Sequence, residues 1–124
     1  MEDLLESTRL PLRVLVVWEP VIRTDVAPPT TGTLARISDP RAIQYWDRDR
    51  LLSTYLMAVA RANPSWLRSQ DRERVMKGEY FIIWVVALTF PAGSRWESTL
   101  PPPSYYGGPV VQGVDAIRGA LGER

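Results

Sequence analysis

The chain has 124 residues, 45% of them hydrophobic and 23% charged, with a formal net charge of +1. It contains no cysteine and no histidine, which removes from it disulfides, thiol redox chemistry, thiolate or imidazole metal sites and any triad built on imidazole. Basic and acidic residues alternate, as in Arg68, Asp71, Arg72, Glu73 and Arg74, so the one-sided basic surface of a nucleic-acid binder is not expected and no nucleic-acid partner is assigned.

A length of 124 residues is that of one ordinary domain, and residues 1–124 are read as one. Met1-Glu2-Asp3 lacks the cationic start of a signal peptide. The longest apolar run, residues 80–90, is shorter than the ~20 residues a membrane-spanning helix needs. A cytoplasmic protein is the expectation, and peripheral attachment to a membrane complex is compatible with it.

Residues 1–10 read as a frayed or helical lead-in. Residues 12–22 read as a strand, because Val14, Leu15, Val16 and Val17 form a continuous apolar run suited to cover on both faces. Pro20 ends regular pairing. Residues 24–33, with Pro28-Pro29 and Gly32, read as a loop. Ser38-Asp39-Pro40 reads as a helix start, with Asp39 as the cap and Pro40 in the first turn. The helix that follows is expected to restart at Asp47. Leu51, Leu52, Tyr55, Leu56 and Val59 would form its buried face. Asn63-Pro64 stops it, and residues 66–77 read as a second, more polar helix ended by Gly78.

Residues 80–90 carry strand formers on both parities, the pattern of a central strand. Pro91-Ala92-Gly93-Ser94 reads as a turn, and residues 95–99 as an antiparallel return. Pro101-Pro102-Pro103 is a stiff connector. Gly108-Pro109 opens a last helix whose Val110, Val114, Ile117 and Leu121 share a face. Gly113 and Gly119 weaken that helix, which leaves its stability to packing. Strand, helix, helix, strand, strand, helix is an α/β order that calls for a mixed sheet with flanking helices.

That order is similar to the C-terminal two-thirds of a thioredoxin fold. The residues also resemble a group of thioredoxin-like bacterial proteins of uncharacterised function. The resemblance rests on Val16-Val17-Trp18-Glu19-Pro20-Val21 with Thr24-Asp25, Leu34-Ala35-Arg36 with Ser38-Asp39-Pro40-Arg41, Gln44-Tyr45-Trp46-Asp47, Gly93-Ser94-Arg95-Trp96, and Gly108-Pro109-Val110-Val111. It covers most of residues 11–121. The resemblance implies a thioredoxin-like mixed sheet whose first strand–helix unit, often the carrier of a cysteine motif, is truncated or replaced in this chain. Glu79 stands where such folds place a proline before a strand. Both departures imply a redox-inactive, non-catalytic protein-interaction or accessory subunit with no cofactor. The sheet would be completed by a second copy, a partner chain or a rearranged N-terminus. A native start upstream of Met1, and with it a thiol oxidoreductase, is the other expectation.

Four groups of residues invite a chemical reading. Glu19, Asp25 and Asp39 could hold a divalent cation through oxygen ligands; the plainer reading makes Asp39 a cap, Asp25 a turn residue and Glu19 a partner for an arginine. Asp47 and Asp49 would be general acid–base groups if buried, and solvated or capping residues otherwise. Trp96, Tyr105 and Tyr106 flank the triple proline and form either a hydrophobic lid or an exposed patch for a partner. Gly107-Gly108 before a helix suggests a phosphate cradle, but Pro109 removes an amide that a phosphate would need.

Overall fold

The computed structural model describes residues 2–22, 24, 26–77 and 86–122. The chain is α/β, with a parallel strand pair and an antiparallel strand pair among helices. Residues Met1–Leu52 and Ser53–Arg124 form two compact units. Among the described residues no helix is long and apolar enough to cross a membrane.

In the first unit, helix α1 (Glu2–Ser7) buries Leu4 and Leu5. Strand β1 (Val14–Trp18) pairs in parallel with β2 (Ala42–Trp46), from Val14 opposite Ala42 to Trp18 opposite Trp46. The expected strand is thus present but short. Its ladder closes with the Asp47 amide donating to the Trp18 carbonyl at 2.8 Å, two residues before Pro20. One further helical turn, α2 (Thr31–Leu34), lies in the stretch expected as loop; the Thr30 hydroxyl accepts from the Thr33 amide at 3.2 Å.

The helix expected from Asp39 and Pro40 is not there, and the segment is β2. Asp39 accepts the Arg41 amide at 2.8 Å, and the Ala42 amide donates back to the Asp39 carbonyl at 3.0 Å. The side chain closes a turn into a strand with the same bond type it would offer a helix N-terminus. The restart at Asp47 does hold. Its Oδ2 accepts the Leu52 amide at 2.8 Å, at the start of α3 (Leu51–Ala62).

The second unit is built on α3, a short 3-10 turn (Pro64–Trp66), α4 (Ser69–Met76), β3 (Ala87–Thr89), β4 (Tyr105–Gly107) and α5 (Val110–Ala120). Its core joins Met57, Ala60, Leu67, Val75 and Tyr106. The buried face of α3 is therefore turned from the expected one: Leu51 is 70% exposed, whereas Ala60 is fully covered. Residues 78–85, most of the expected central strand, lie outside the described residues.

The end of that strand, β3, pairs antiparallel with β4, Leu88 opposite Tyr106. The expected partner, residues 95–99, is exposed and unpaired with it. The turn forms as read, with the Ser94 amide on the Pro91 carbonyl at 3.1 Å and Gly93 at φ 82°. The chain then runs through the prolines, and the Ser104 amide returns to the Thr89 carbonyl at 2.7 Å. In β4 both tyrosines are buried, whereas residues 95–99, Trp96 among them, stay exposed. In α5, Val110, Gly113 and Ile117 are buried.

Candidate functional site

Of the carboxylates proposed for a cation, the two that lie among the described residues, Glu19 and Asp39, each have another engagement. Glu19 follows β1, half-buried and engaged in an interaction of its own. Asp25 lies outside the described residues. Asp39 is held by Arg41, whose Nε and Nη2 donate to its two oxygens at 2.9 and 2.6 Å. These bonds hold the Asp39 carboxyl at about 2, below its ordinary 3.8, and raise the guanidinium. The rest of Arg41 donates to the carbonyls of Leu5, Thr8 and Leu10 at 2.6, 3.1 and 2.9 Å. Arg41 thereby neutralises the C-terminal end of α1 and ties it to the entry of β2. Ser38 adds a second tie, its hydroxyl donating to Glu2 at 2.6 Å. Among the described residues, no group of three His, Cys, Asp or Glu is placed to hold a metal ion. Asp47 is the α3 cap described above, and Asp49 is exposed.

The aromatic cluster separates into a core part and a surface part. Tyr105 and Tyr106 are 6% and 1% exposed, which places both in the interior of the unit and not on an exposed patch. The Tyr106 hydroxyl donates to the Leu56 carbonyl at 2.8 Å, and burial raises its pKa well above 10. The Tyr105 hydroxyl is buried with no hydrogen-bond partner among the described residues, and its ring lies 5.5 Å under the Arg68 guanidinium. Trp96 is half exposed and stacks on Tyr55 at 5.3 Å.

Sequence reasoning missed the pair behind Tyr105. Arg68 Nε donates to the wholly buried Asp71 at 2.7 Å, and its Nη2 donates to the Gly108 carbonyl at 2.9 Å. The pair crowds the backbone: a Cβ at Gly107 would fall 2.6 Å from Asp71 Oδ2. Gly107 thus serves close packing of an ion pair, and the space of the imagined phosphate cradle is filled. The i, i+3 spacing of Arg68 and Asp71 is the one trace of this pair in the sequence.

The most unusual surface of the first unit is apolar. Leu15 faces Ile43 and Val17 faces Tyr45 across the parallel ladder. Alternation puts all four on one side of the pair. Leu15, Ile43 and Tyr45 are 59%, 48% and 51% exposed. The opposite side is covered and polar at its centre: Gln44 accepts from Trp18 Nε1 at 2.9 Å and donates to the Leu34 carbonyl at 3.0 Å. The open side follows from β2, whose strand identity the sequence hid. Comparison with protein-family models, with curated proteins and with solved structures returned no match.

Proposed function

We propose that this chain is a redox-inactive, thioredoxin-like protein-interaction or accessory module, working through the open side of the β1–β2 pair. The observation that carries the reading is the in-register apolar set Leu15, Val17, Ile43 and Tyr45 on a parallel pair. Parallel strands are ordinarily covered on both faces. Burying a side chain of this size from water is worth about 1.5–3 kcal/mol, so a polypeptide covering the face gains substantially. A second copy of this chain is the simplest such polypeptide. The thioredoxin-like part is supported by the succession of parallel pair, helices, antiparallel pair and closing helix. The rival cation reading is disfavoured by the occupation of Asp39 by Arg41.

Light scattering across a concentration series, on the wild type and on Leu15→Glu with Ile43→Lys, tests this. Self-association of the wild type, lost in the double variant, is expected. A wild type that is monomeric at every concentration, and that loses no partner on substitution of Leu15 and Ile43, refutes the reading.

A further inference from the structure

The second unit carries an open groove of about 430 Å3 lined by none of the candidate site residues read from the sequence. Its floor is a stripe of α3: Tyr55, Ala58, Val59 and Ala62. Spacings of three and four residues put them on one face. This stripe is distinct from the buried one, which carries Met57 and Ala60. Trp66 and Leu100 line the groove as well. The Tyr55 hydroxyl accepts the Leu100 amide at 3.2 Å and its ring carries Trp96, so this wall is fixed. From Tyr55 to Ala62 the helix rises about 10 Å, two turns. Exposed Ala58 and Ala62 leave a trough between aromatic ends. Such a trough accepts the bulky side chains that a facing helix presents on successive turns.

Among the described residues, two arginines, Arg61 and Arg72, stand by the Trp66 end of the groove. Arg61 is the only charged residue of α3. Arg72 is exposed and fixed beside the Trp66 turn, its Nε donating to the Pro64 carbonyl at 2.9 Å and its Nη2 to the Leu67 carbonyl at 3.3 Å. The neighbouring Glu73 is paired with Lys77 at 2.6 Å. At the Trp96 end, Arg95 and Glu97 carry opposite charges. We propose that the groove receives an acidic amphipathic helix of a partner protein, its apolar stripe on Tyr55, Ala58, Val59 and Ala62 and its carboxylates toward Arg61 and Arg72. This is a second surface, formed entirely within the second unit and independent of the β1–β2 face.

The test uses the full chain and two labelled 18-residue peptides. Both carry leucines at i, i+3, i+4 and i+7; one has glutamate and the other lysine at the remaining helical positions. Fluorescence anisotropy should show the glutamate peptide bound roughly tenfold more tightly than the lysine peptide, the ratio two surface ion pairs can supply. Arg61→Glu with Arg72→Glu should abolish that preference. Ala58→Glu should lower affinity at least about tenfold by placing a charge in an apolar contact. Ala62→Glu serves the same purpose should the first variant lose its circular dichroism. No binding of the glutamate peptide, equal affinity for both peptides, or undiminished binding to both alanine variants overturns the inference. Self-association of the same samples reports the β1–β2 face separately, so a silent groove leaves that reading standing.

Discussion

Adjacent tyrosines in β4 should respond to the same substitution with opposite signs. Both side chains are buried, but the Tyr106 hydroxyl donates to Leu56 at 2.8 Å, whereas that of Tyr105 has no hydrogen-bond partner among the described residues. Tyr106→Phe removes a made bond, at a net cost of about 1 kcal/mol. Tyr105→Phe removes a polar atom that was desolvated without compensation. The recoverable penalty is about 1–3 kcal/mol, and a gain near 1 kcal/mol is expected because a small void replaces the oxygen. The two variants should therefore differ by about 2 kcal/mol, or roughly 8 °C in Tm at about 4 °C per kcal/mol for a chain of this size. Differential scanning calorimetry measures this directly, with denaturant titration as the cross-check. The alkaline limb adds a second readout. Burial raises the Tyr106 pKa above its ordinary 10, so the unfolded chain loses that proton first. Stability is whole below pH 10 and falls as pH rises beyond it, and Tyr106→Phe should flatten the fall. Equal destabilisation by both substitutions would refute the assignment of Tyr105 as unsatisfied and, with it, the packing described at β4.

Further outcomes follow from the same geometry. Asp39→Asn should loosen the α1 tie. In the wild type the stabilisation from the depressed Asp39 carboxyl is present above about 3.8 and lost as pH falls toward about 2; acid titration by circular dichroism should show this limb shrink in the variant. Arg41→Lys keeps the charge but cannot reach Leu5, Thr8, Leu10 and Asp39 together, and faster amide exchange across α1 is the expected sign. In α5, Gly113→Ala would drive a Cβ into the Tyr105 hydroxyl, with the ring carbon Cζ 3.0 Å away, and should destabilise by about 1–3 kcal/mol. Gly119→Ala meets nothing within 4 Å and should stabilise by about 0.5–1 kcal/mol; a thermal melt of each variant decides both.

What was legible in the sequence was local in origin. The β-branched run of β1, the stop at Asn63-Pro64, the cap at Asp47, the turn at Gly93 and the amphipathic α5 each depend on neighbours in sequence, and each is present. What was hidden depends on distant partners. Ser38-Asp39-Pro40-Arg41 satisfies the rules for a helix cap and for a side-chain-closed turn equally well. The choice is made by β1, whose Val14 meets Ala42 from far along the chain. In α3, Leu56, Met57, Val59 and Ala60 crowd the helix with apolar residues nearly all round, so periodicity sets its existence but not its phase. Residues 95–99 and 105–107 compete for one strand, and burial of two tyrosines decides between them.

The same contrast bears on the candidate chemistry and on the apolar surface. Without thiols or imidazoles, the ionic chemistry of this chain rests on carboxylates and guanidinium groups. Among the described residues the best-placed of these groups are committed to structure. Asp39 and Arg41 seal α1, Asp47 caps α3, and Arg68 and Asp71 lock the backbone at Gly107 and Gly108. A carboxylate already holding a guanidinium at 2.6 Å would have to release it to take a cation, losing charge-assisted bonds worth more than ordinary neutral ones. The exposed Leu15, Ile43 and Tyr45 have no such prior engagement, and every square ångström they bury in an encounter counts in its favour. Releasing Asp39 from Arg41 thus costs more than burying Leu15, Ile43 and Tyr45, and this difference is the physical ground on which we propose an interaction role ahead of a cation site at Glu19, Asp25 and Asp39.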